Sequence, residues 1–581
     1  MADVQVDTEK RRLIVSTGSR EEGVVLLKLP SRRWMATRRV FIVPMTKLNM
    51  QALAEANVEK RIHFEPHIVK LIAAGAVNKL GDRDFPQWYS YKLPPFQVQR
   101  EAIAKSYKND EFALFMKMGR GKSKTMIDLM TAHFYEKRIQ LVVAVMPLSV
   151  TTVWGGDQGE LAKHSPIDTI TVYADSKFDP SRLRLRQDKL TWVFVGIESL
   201  SQGRAHERIL PLFQNCKVGM LIDEASRIAN YKTIRTEKVK EMGKLAAIRG
   251  IGTGTPAKKR LTDLYSLFDF LSPDIIGCGD FYAFRNRYCV MGGYKNKEVV
   301  GYDNVDELMR LIEPFTYTCG KDETLPKQIF MHRDIELCDE QKDIYRKIRK
   351  SEIEGLTIKN ALSKVMRLQQ AVGGFYSLDP RKKVNPITGK IRSEKGDEVH
   401  FLPYKKNPKI IDMHEMLEEQ DGEPVIVWAK FLKEIGDVVK AMRERTDESR
   451  VATVIGGMTP EARIKLRDDF QDGKYDFLVG NAQSGGLGLT LTRSHFTVYY
   501  SNTQSGEDRL QSEDRTHRHG QDEPCVYVDM IARRTVDVPI YASMLEKKDL
   551  DVYVREKIRA AGGEPTDRAI MDYLEEMMGE V

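Results

Sequence analysis

Residues Phe112 to Ser123 read FALFMKMGRGKS. A run rich in large apolar residues meets two glycines, Gly119 and Gly121, and the residues that follow place Met126, Leu129, Met130 and Phe134 on one helical face. The pattern predicts a buried strand, a glycine turn and a helix. Such a turn builds a phosphate cradle: glycines admit an anion close to the backbone, and the unpaired N–H groups of the helix start point at it. Lys122 supplies a positive charge and Ser123 a hydroxyl for Mg2+. The full pattern GxxxxGK[ST] asks for glycine where Met116 stands, so the stretch alone also reads as a glycine turn carrying an exposed lysine.

The surrounding chain sets the scale. Its 581 residues exceed one hydrophobic core, and three or four domains of roughly 150 residues are expected. With 41% hydrophobic and 30% charged residues it has the composition of an ordinary globular protein. A net charge of +8 is small for this length, and it permits a polyanionic partner without demanding one. Cys216, Cys278, Cys289, Cys319, Cys338 and Cys525 form no CxxC pair, which argues against zinc and against a disulfide framework. The charged start MADVQVDTEKRR and the lack of an apolar run near the ~18 residues of a membrane span give a cytosolic character.

Four segments are expected. Residues 1–85 read as a small α+β module, with strands at RRLIVST, GVVLLKL and RVFIVPM and helices at MTKLNMQALAEA and EPHIVKLIAAGAV. Arg32, Arg33, Arg38 and Arg39 flank Trp34, a pattern that suits either nucleic-acid contact or a solvated strand edge. Residues 86–320 alternate apolar strands (EFALFMK, LVVAVMP, TWVFVGI, VGMLIDE and the stretch before GTGTP) with helices, the mark of a parallel sheet covered on both faces. Residues 321–545 repeat that alternation at PVIVWAK, RVATVIG, YDFLVGN, FTVYYS and CVYVDMI, with a basic hairpin or loop inserted near 377–406. Thr459, Pro460 and Glu461 mark one helix start, and Gly473 its end. Residues 546–581 form a helical tail broken at GGEP.

Two further clusters carry chemistry. In LIDEAS, Asp223 and Glu224 end an apolar strand, where a phosphate-loop enzyme needs one carboxylate to hold Mg2+ and another to orient or deprotonate water. In RLQSEDRTHRHGQ, Gln511, Arg515 and Arg518 offer groups for a transferring phosphoryl, with Arg515 and Arg518 on one face if the segment is helical. The alternative is a solvated charged helix. His517 and His519 lack an acid or cysteine partner at metal-ligand spacing.

Together these motifs resemble the SNF2-like DNA translocases of helicase superfamily 2, over about Leu93 to Leu545. LPPFQ is similar to the adenine-reading motif, MGRGKS to motif I, MPLSVTTVW to motif Ia and GIESL to motif Ib. DEAS is similar to motif II, TGTPAKKRLTDLYSLFDFL to motif III, VIVWAKF to motif IV, SGGLGLTLT to motif V and QSEDRTHRHGQ to motif VI. Motif I of the family also lacks the first glycine, which removes the objection raised by Met116.

The resemblance implies two RecA-like parallel-sheet α/β lobes in tandem, preceded by a small α+β module, that close on ATP and Mg2+ and move along DNA. It assigns Gln97, Met118, Gly119, Arg120, Gly121, Lys122 and Ser123 to nucleotide binding, and Ser123 with Asp223 to Mg2+. Lys122, Asp223, Glu224, Gln511, Arg515 and Arg518 are assigned to hydrolysis. Thr253, Thr255, Gly486 and Gly488 are expected to couple ATP to DNA, and the neighbourhoods of Ser149 and Glu198 to face it. The expected partner is duplex or branched DNA held through its backbone, by a protein that is a monomer when free. Strand separation, action on RNA, and a decayed DNA-binding module are the alternatives. Motif II departs from the family in ending on Ser226 where histidine is usual, and Ser123 stands for the usual threonine. LPSRRWMATRRVFIVPM resembles the substrate-recognition module of HARP-type annealing helicases. The compact length suggests a minimal motor from a bacterium or phage, cytoplasmic and nucleoid-associated.

Overall fold

The computed structural model of the chain describes all residues except 1, 8–11, 30–31, 36–37, 46, 77–82, 118, 157–158, 203, 255–259, 293–297, 321–324, 354–360, 380, 385–390, 395, 419–421, 486–488 and 580–581. Side chains at 33, 44, 47–48, 74–76, 149, 202, 298, 381–384, 391–394, 460 and 484–485 are likewise outside the description. Two units, Met1–Lys321 and Asp322–Val581, each hold their own cores.

The first unit opens on an antiparallel sheet of order β1-β2-β4-β3, made of β1 (Asp3–Asp7), β2 (Arg12–Ser16), β3 (Arg33–Met35) and β4 (Val40–Pro44). Helices α1 (Arg20–Leu27), α2 (Lys47–Val58) and α3 (Pro66–Ala76) complete it. Alternate strand residues Leu13, Val15, Phe41 and Val43 share one core with Leu53, Ile68 and Ile72. GVVLLKL, expected as a strand, lies within helix α1 and its cap. Ser19 accepts the Glu22 N–H at 3.2 Å, Glu22 reaches back to the Gly18 N–H at 2.9 Å, and Val25 and Leu26 are buried one turn on. These paired caps and the acidic first turn outweigh the β-branched residues.

A parallel seven-stranded sheet follows, of order β13-β5-β10-β9-β6-β8-β7. Along the chain come α4 (Gln97–Ser106), β5 (Glu111–Met116), α5 (Lys122–Tyr135), β6 (Leu141–Met146), α6 (Leu148–Gly155), α7 (Glu160–His164), β7 (Thr169–Tyr173) and β8 (Leu190–Gly196). Then come α8 (Arg204–Asn215), β9 (Val218–Asp223), α9 (Ile234–Gly243), β10 (Ile248–Gly252), α10 (Asp263–Leu271), α11 (Pro273–Ile276) and α12 (Phe281–Tyr288). A hairpin of β11 (Cys289–Gly292) and β12 (Glu298–Tyr302) precedes α13 (Val305–Ile312) and β13 (Thr316–Cys319). Ala113 and Phe115 face a core with Ile209, Val239 and Phe268. Phe112, Leu114 and Met116 face the opposite core with Ile103, Met126 and Met130. Strand β5 is thus apolar on every residue after Glu111 because it is covered on both faces. The five strands read from the sequence are central; β7 and β13, which lack long apolar runs, are the edges.

The second unit has a parallel sheet of order β14-β23-β22-β19-β21-β20. It begins with β14 (Gln328–Ile335), α14 (Asp339–Arg349) and α15 (Ala361–Val372). Between α15 and α16 (Pro408–Glu418) lie two short antiparallel pairs, β15 (Phe375–Ser377) with β18 (Glu398–His400) and β16 (Arg381–Val384) with β17 (Ile391–Glu394). The remainder runs β19 (Val425–Trp428), α17 (Leu432–Arg445), β20 (Val451–Val454), α18 (Pro460–Gln471), β21 (Phe477–Gly480), α19 (Ala482–Gly485) and β22 (Phe496–Tyr499). It ends with α20 (Gly506–Thr516), β23 (Cys525–Ala532), α21 (Asp537–Leu545), α22 (Leu550–Ala560) and α23 (Asp567–Met578). Val425 and Val427 enter one core and Ile426 and Trp428 the other. Helices α14, α15 and α21–α23 form a third, through Tyr345, Leu368, Ile540, Val554 and Leu574. Among the described residues no helix is long and apolar enough to cross a membrane.

Candidate active site

Strand β5 ends at Met116, and the chain turns through Gly119 (φ 76°) and Gly121 (φ 81°) into α5. Both glycines occupy left-handed backbone that other residues enter only with strain. Gly121 is the N-cap, so the first N–H groups of α5 emerge beside Lys122 and Ser123. The Lys122 Nζ donates to the Met116 carbonyl at 2.9 Å, closing the turn on itself. Arg120 packs its guanidinium against Cys319 of β13, with Nε 3.3 Å from Sγ. Met118 lies outside the described residues.

Asp223 ends β9, directly across from Gly252 of β10. A Cβ placed on Gly252 would lie 3.6 Å from Asp223 Oδ1 and 3.6 Å from Lys122 Cδ, so the lysine stem and the carboxylate converge over a residue without a side chain. The protein packed around Asp223 pushes its carboxyl up to about 6, against the pull of Lys122 and with the repulsion of Glu224 adding to the rise. A desolvated carboxylate at the head of a glycine turn supplies one hard oxygen ligand of the kind a divalent cation takes. Glu224 follows in left-handed backbone (φ 57°), and Ser226 Oγ donates to its Oε1 at 3.0 Å. The serine found in place of the family histidine therefore orients the second carboxylate. Thr253 is buried, with its N–H on the Leu114 carbonyl at 3.1 Å; Thr255 is outside the described residues. Glu198 Oε2 accepts the Leu148 N–H at 3.3 Å, joining the ends of β8 and β6. Ser149 sits in α6, its side chain undescribed.

In the second unit, α20 carries Gln511 and Arg515 but ends at Thr516, so Arg518 lies past the helix end and does not share a helical face with Arg515. His517 caps the helix and donates from Nε2 to the Pro326 carbonyl, 2.7 Å away. Gln511 Nε2 bonds Glu507 at 3.1 Å. Arg515 is 5% exposed and reaches the Leu489 carbonyl at 3.4 Å, while Arg518 donates to Thr490 Oγ1 at 3.0 Å. The Leu491 N–H donates to the Arg515 carbonyl at 3.0 Å, and Gln521 Nε2 reaches the Thr492 and Ser494 carbonyls. The segments read as motifs V and VI are therefore held together. Gly486 and Gly488 fall outside the described residues.

The SNF2-related domain is matched over residues 99–384, and the helicase conserved C-terminal domain over residues 407–520. The chain belongs to the SNF2-related family. Relatives of this SNF2-related chain include the "Putative ATP-dependent helicase/translocase YwqA" of Bacillus subtilis (strain 168), 24% identical over 440 residues, which are 75% of this chain and 45% of that protein. The "ISWI chromatin-remodeling complex ATPase ISW1" of Saccharomyces cerevisiae is 22% identical over 497 residues, 82% of this chain and 42% of that protein. The chain thus spans less than half the length of these two curated relatives. A solved structure, "Sulfolobus solfataricus SWI2/SNF2 ATPase core in complex with dsDNA", aligns over 86% of this chain and 100% of that one at 20% identity, with a TM-score of 0.37.

One SNF2-related residue near the cradle escaped the sequence reading. Gln97 is exposed on α4 and bonds Glu101 at 3.1 Å. Gln99, two residues on, is 4% exposed; its Oε1 accepts the Phe96 N–H at 2.9 Å and its amide lies against Gly121, where a Cβ would meet Nε2 at 1.8 Å. The signal was available in the capping pattern, a glutamine three residues after the N-cap.

Proposed function

We propose that the protein is an ATP-dependent DNA translocase that couples ATP hydrolysis to movement on duplex or branched DNA. The observation that carries this reading is the convergence of Lys122 and Asp223 over Gly252 at the carboxyl ends of a parallel sheet, beside a left-handed glycine turn. In this reading Gly119, Gly121 and the first N–H groups of α5 receive the phosphates, and Lys122 leaves the Met116 carbonyl to meet them. Ser123 and Asp223 hold Mg2+, which when bound neutralises charge on the phosphate oxygens. Glu224, steadied by Ser226, orients and deprotonates water, and Arg515 with Arg518 senses the γ-phosphate, assisted by Gln511. Thr253, just past the end of β10, together with Thr255, Gly486 and Gly488, links the nucleotide to DNA. Contacts at the ends of β6 and β8 grip the phosphate backbone, giving binding that is independent of sequence and sensitive to salt.

The amino-terminal module is assigned to DNA-substrate recognition. Trp34 on edge strand β3 is 48% exposed, and Arg32, Arg38 and Arg39 beside it are exposed as well. The location that suits a DNA motor of this kind is the nucleoid of a bacterial or phage-infected cell.

The test is ATP hydrolysis with no nucleic acid, single-stranded DNA, duplex DNA, branched DNA and RNA, with Lys122→Ala as control. Strong stimulation by duplex or branched DNA, lost in the variant, is expected. Stimulation only by single strands or RNA would shift the assignment to a conventional helicase, and hydrolysis in none would leave a nucleic-acid-binding module.

A further inference from the structure

Helix α20 is seated by charge. Its inward face holds Gly506, Arg509 and Glu513, spaced three and four apart, with Arg509 2% and Glu513 0% exposed. Arg509 forks onto the Asp529 carboxylate of β23, with Nη2 2.9 Å from Oδ2, and also reaches Glu513 Oε1 at 2.7 Å and Asn502 Oδ1 at 2.8 Å. Its guanidinium lies over the Tyr499 ring of β22 at 3.4 Å. Glu513 is closed from the other side by Lys547, whose Nζ donates to both carboxylate oxygens at 2.6 and 2.8 Å.

Lys547 belongs to the turn that ends α21, and its backbone is unusual. The Lys547 N–H bonds the Met544 carbonyl and the Lys548 N–H the Ser543 carbonyl, which makes Lys547 the left-handed residue of a helix-ending turn (φ 55°) where glycine is the usual occupant. The same backbone presses on the first residue of α20: a Cβ on Gly506 would fall 2.6 Å from the Lys547 carbonyl carbon. Asp549 Oδ1 accepts the Gly506 N–H at 3.0 Å, and the Leu550 N–H donates to the Gln504 carbonyl at 3.1 Å. A residue in a strained conformation thus touches α20 at its first turn through backbone and two turns later through its charge. Arg509, Glu513 and Asp529 are buried and Lys547, 30% exposed, closes Glu513 from the solvent side; these charges are satisfied in one arrangement, whereas an apolar seat would tolerate sliding.

We propose that Lys547 is a positioning residue for the arginines of α20, so that the turn leading into the C-terminal helices sets where Arg515 and Arg518 stand. This rests on the reading of those arginines as γ-phosphate sensors. The experiment compares DNA-stimulated kcat, KM for ATP and Tm in the full chain carrying Lys547→Arg, Lys547→Gly, Lys547→Met, Lys547→Met with Glu513→Gln, or Arg515→Ala. Lys547→Arg is expected to keep wild-type kcat. Lys547→Gly, in which relief of the left-handed strain offsets part of the lost ion pair, and the double variant, which removes both charges, are expected to keep Tm closer to wild type than Lys547→Met does. Both should still lose about 10- to 100-fold in kcat with KM unchanged, as displaced catalytic groups do. A kcat that simply follows Tm across the set, or stays at wild type in both, overturns the inference while Arg515→Ala remains inactive. Turnover retained by Arg515→Ala itself would instead remove the reading on which the inference stands.

Discussion

Replacing Asp223 by asparagine is expected to make the nucleotide-free protein more stable and inactive at once. Burial at the end of β9 lifts this carboxyl from 3.8 to about 6, so the folded chain resists its ionisation. That displacement corresponds to about 3 kcal/mol. The sign follows from proton counts. Below about pH 4 the carboxyl is protonated folded or unfolded, and the variant gains nothing. Between about 4 and 6 the folded state binds more protons than the unfolded one, so wild-type stability falls as pH rises; above about 6 the full penalty is present. The Asp223→Asn variant, with no proton to lose, avoids it at every pH. In metal-free buffer with chelator and no nucleotide, thermal unfolding of the first unit should therefore show the variant about 5 °C above wild type at pH 8. The gap should close on acidification toward pH 4. With Mg2+ and ATP added the order should reverse, because only the wild type has a carboxylate to bind the ion and gains the linked stabilisation. An equal Tm at pH 8, or a gap that does not depend on pH, would refute the claim that this site stores an electrostatic penalty for use in binding.

Arg515→Ala should abolish DNA-stimulated hydrolysis while ATP affinity, followed by a fluorescent analogue, stays within about threefold; near-normal turnover would refute the sensor assignment. Gly121→Ala puts a Cβ on the Gln99 amide and a non-glycine residue at φ 81°, and should weaken nucleotide binding and destabilise the first unit by about 1–3 kcal/mol. Adding Gln99→Ala should return the part due to the clash, and a neutral Gly121→Ala in calorimetry would contradict the geometry. Trp34→Ala should weaken binding to branched DNA by about 1–3 kcal/mol in titrations, without changing DNA-free hydrolysis, if the exposed ring stacks on a base.

Much of the fold was legible because both sheets are parallel and covered on two faces. Burial on both sides forces strands such as Glu111–Met116 and Leu141–Met146 to be apolar at nearly every position, which no amphipathic helix imitates. In these two sheets the strands that escaped notice, β7, β13 and β14, lie at the edges, where exposure relaxes that demand; β14 even carries His332 and Arg333. The error at α1 had a different origin. GVVLL is β-branched enough to suggest a strand, but Ser19 and Glu22 spell a paired cap, and the cap together with the burial of Val25 and Leu26 decided the outcome.

The site divides along the same physical line. Its proposed phosphate cradle is contiguous: strand, glycines, lysine and serine occupy twelve residues, and geometry follows from local backbone rules that a sequence displays. The support of α20 is discontinuous. Arg509 and Glu513 are visible as charges on a helix, which the sequence alone assigns to solvent by default, yet their partners Asp529 and Lys547 lie on a later strand and a later turn. Nothing local says that these charges are buried, and the ending of the helix at Thr516 separates Arg518 from Arg515 for reasons that sit in the motif V carbonyls and Thr490. Residues proposed to meet the phosphates are thus declared by motif, whereas residues that hold α20 in place are declared only by packing. A substitution at Lys547 would read as a change in an exposed turn and would remove a cation that closes Glu513 from outside its own helix, which is why α20 should prove sensitive at that position, far from the proposed chemistry.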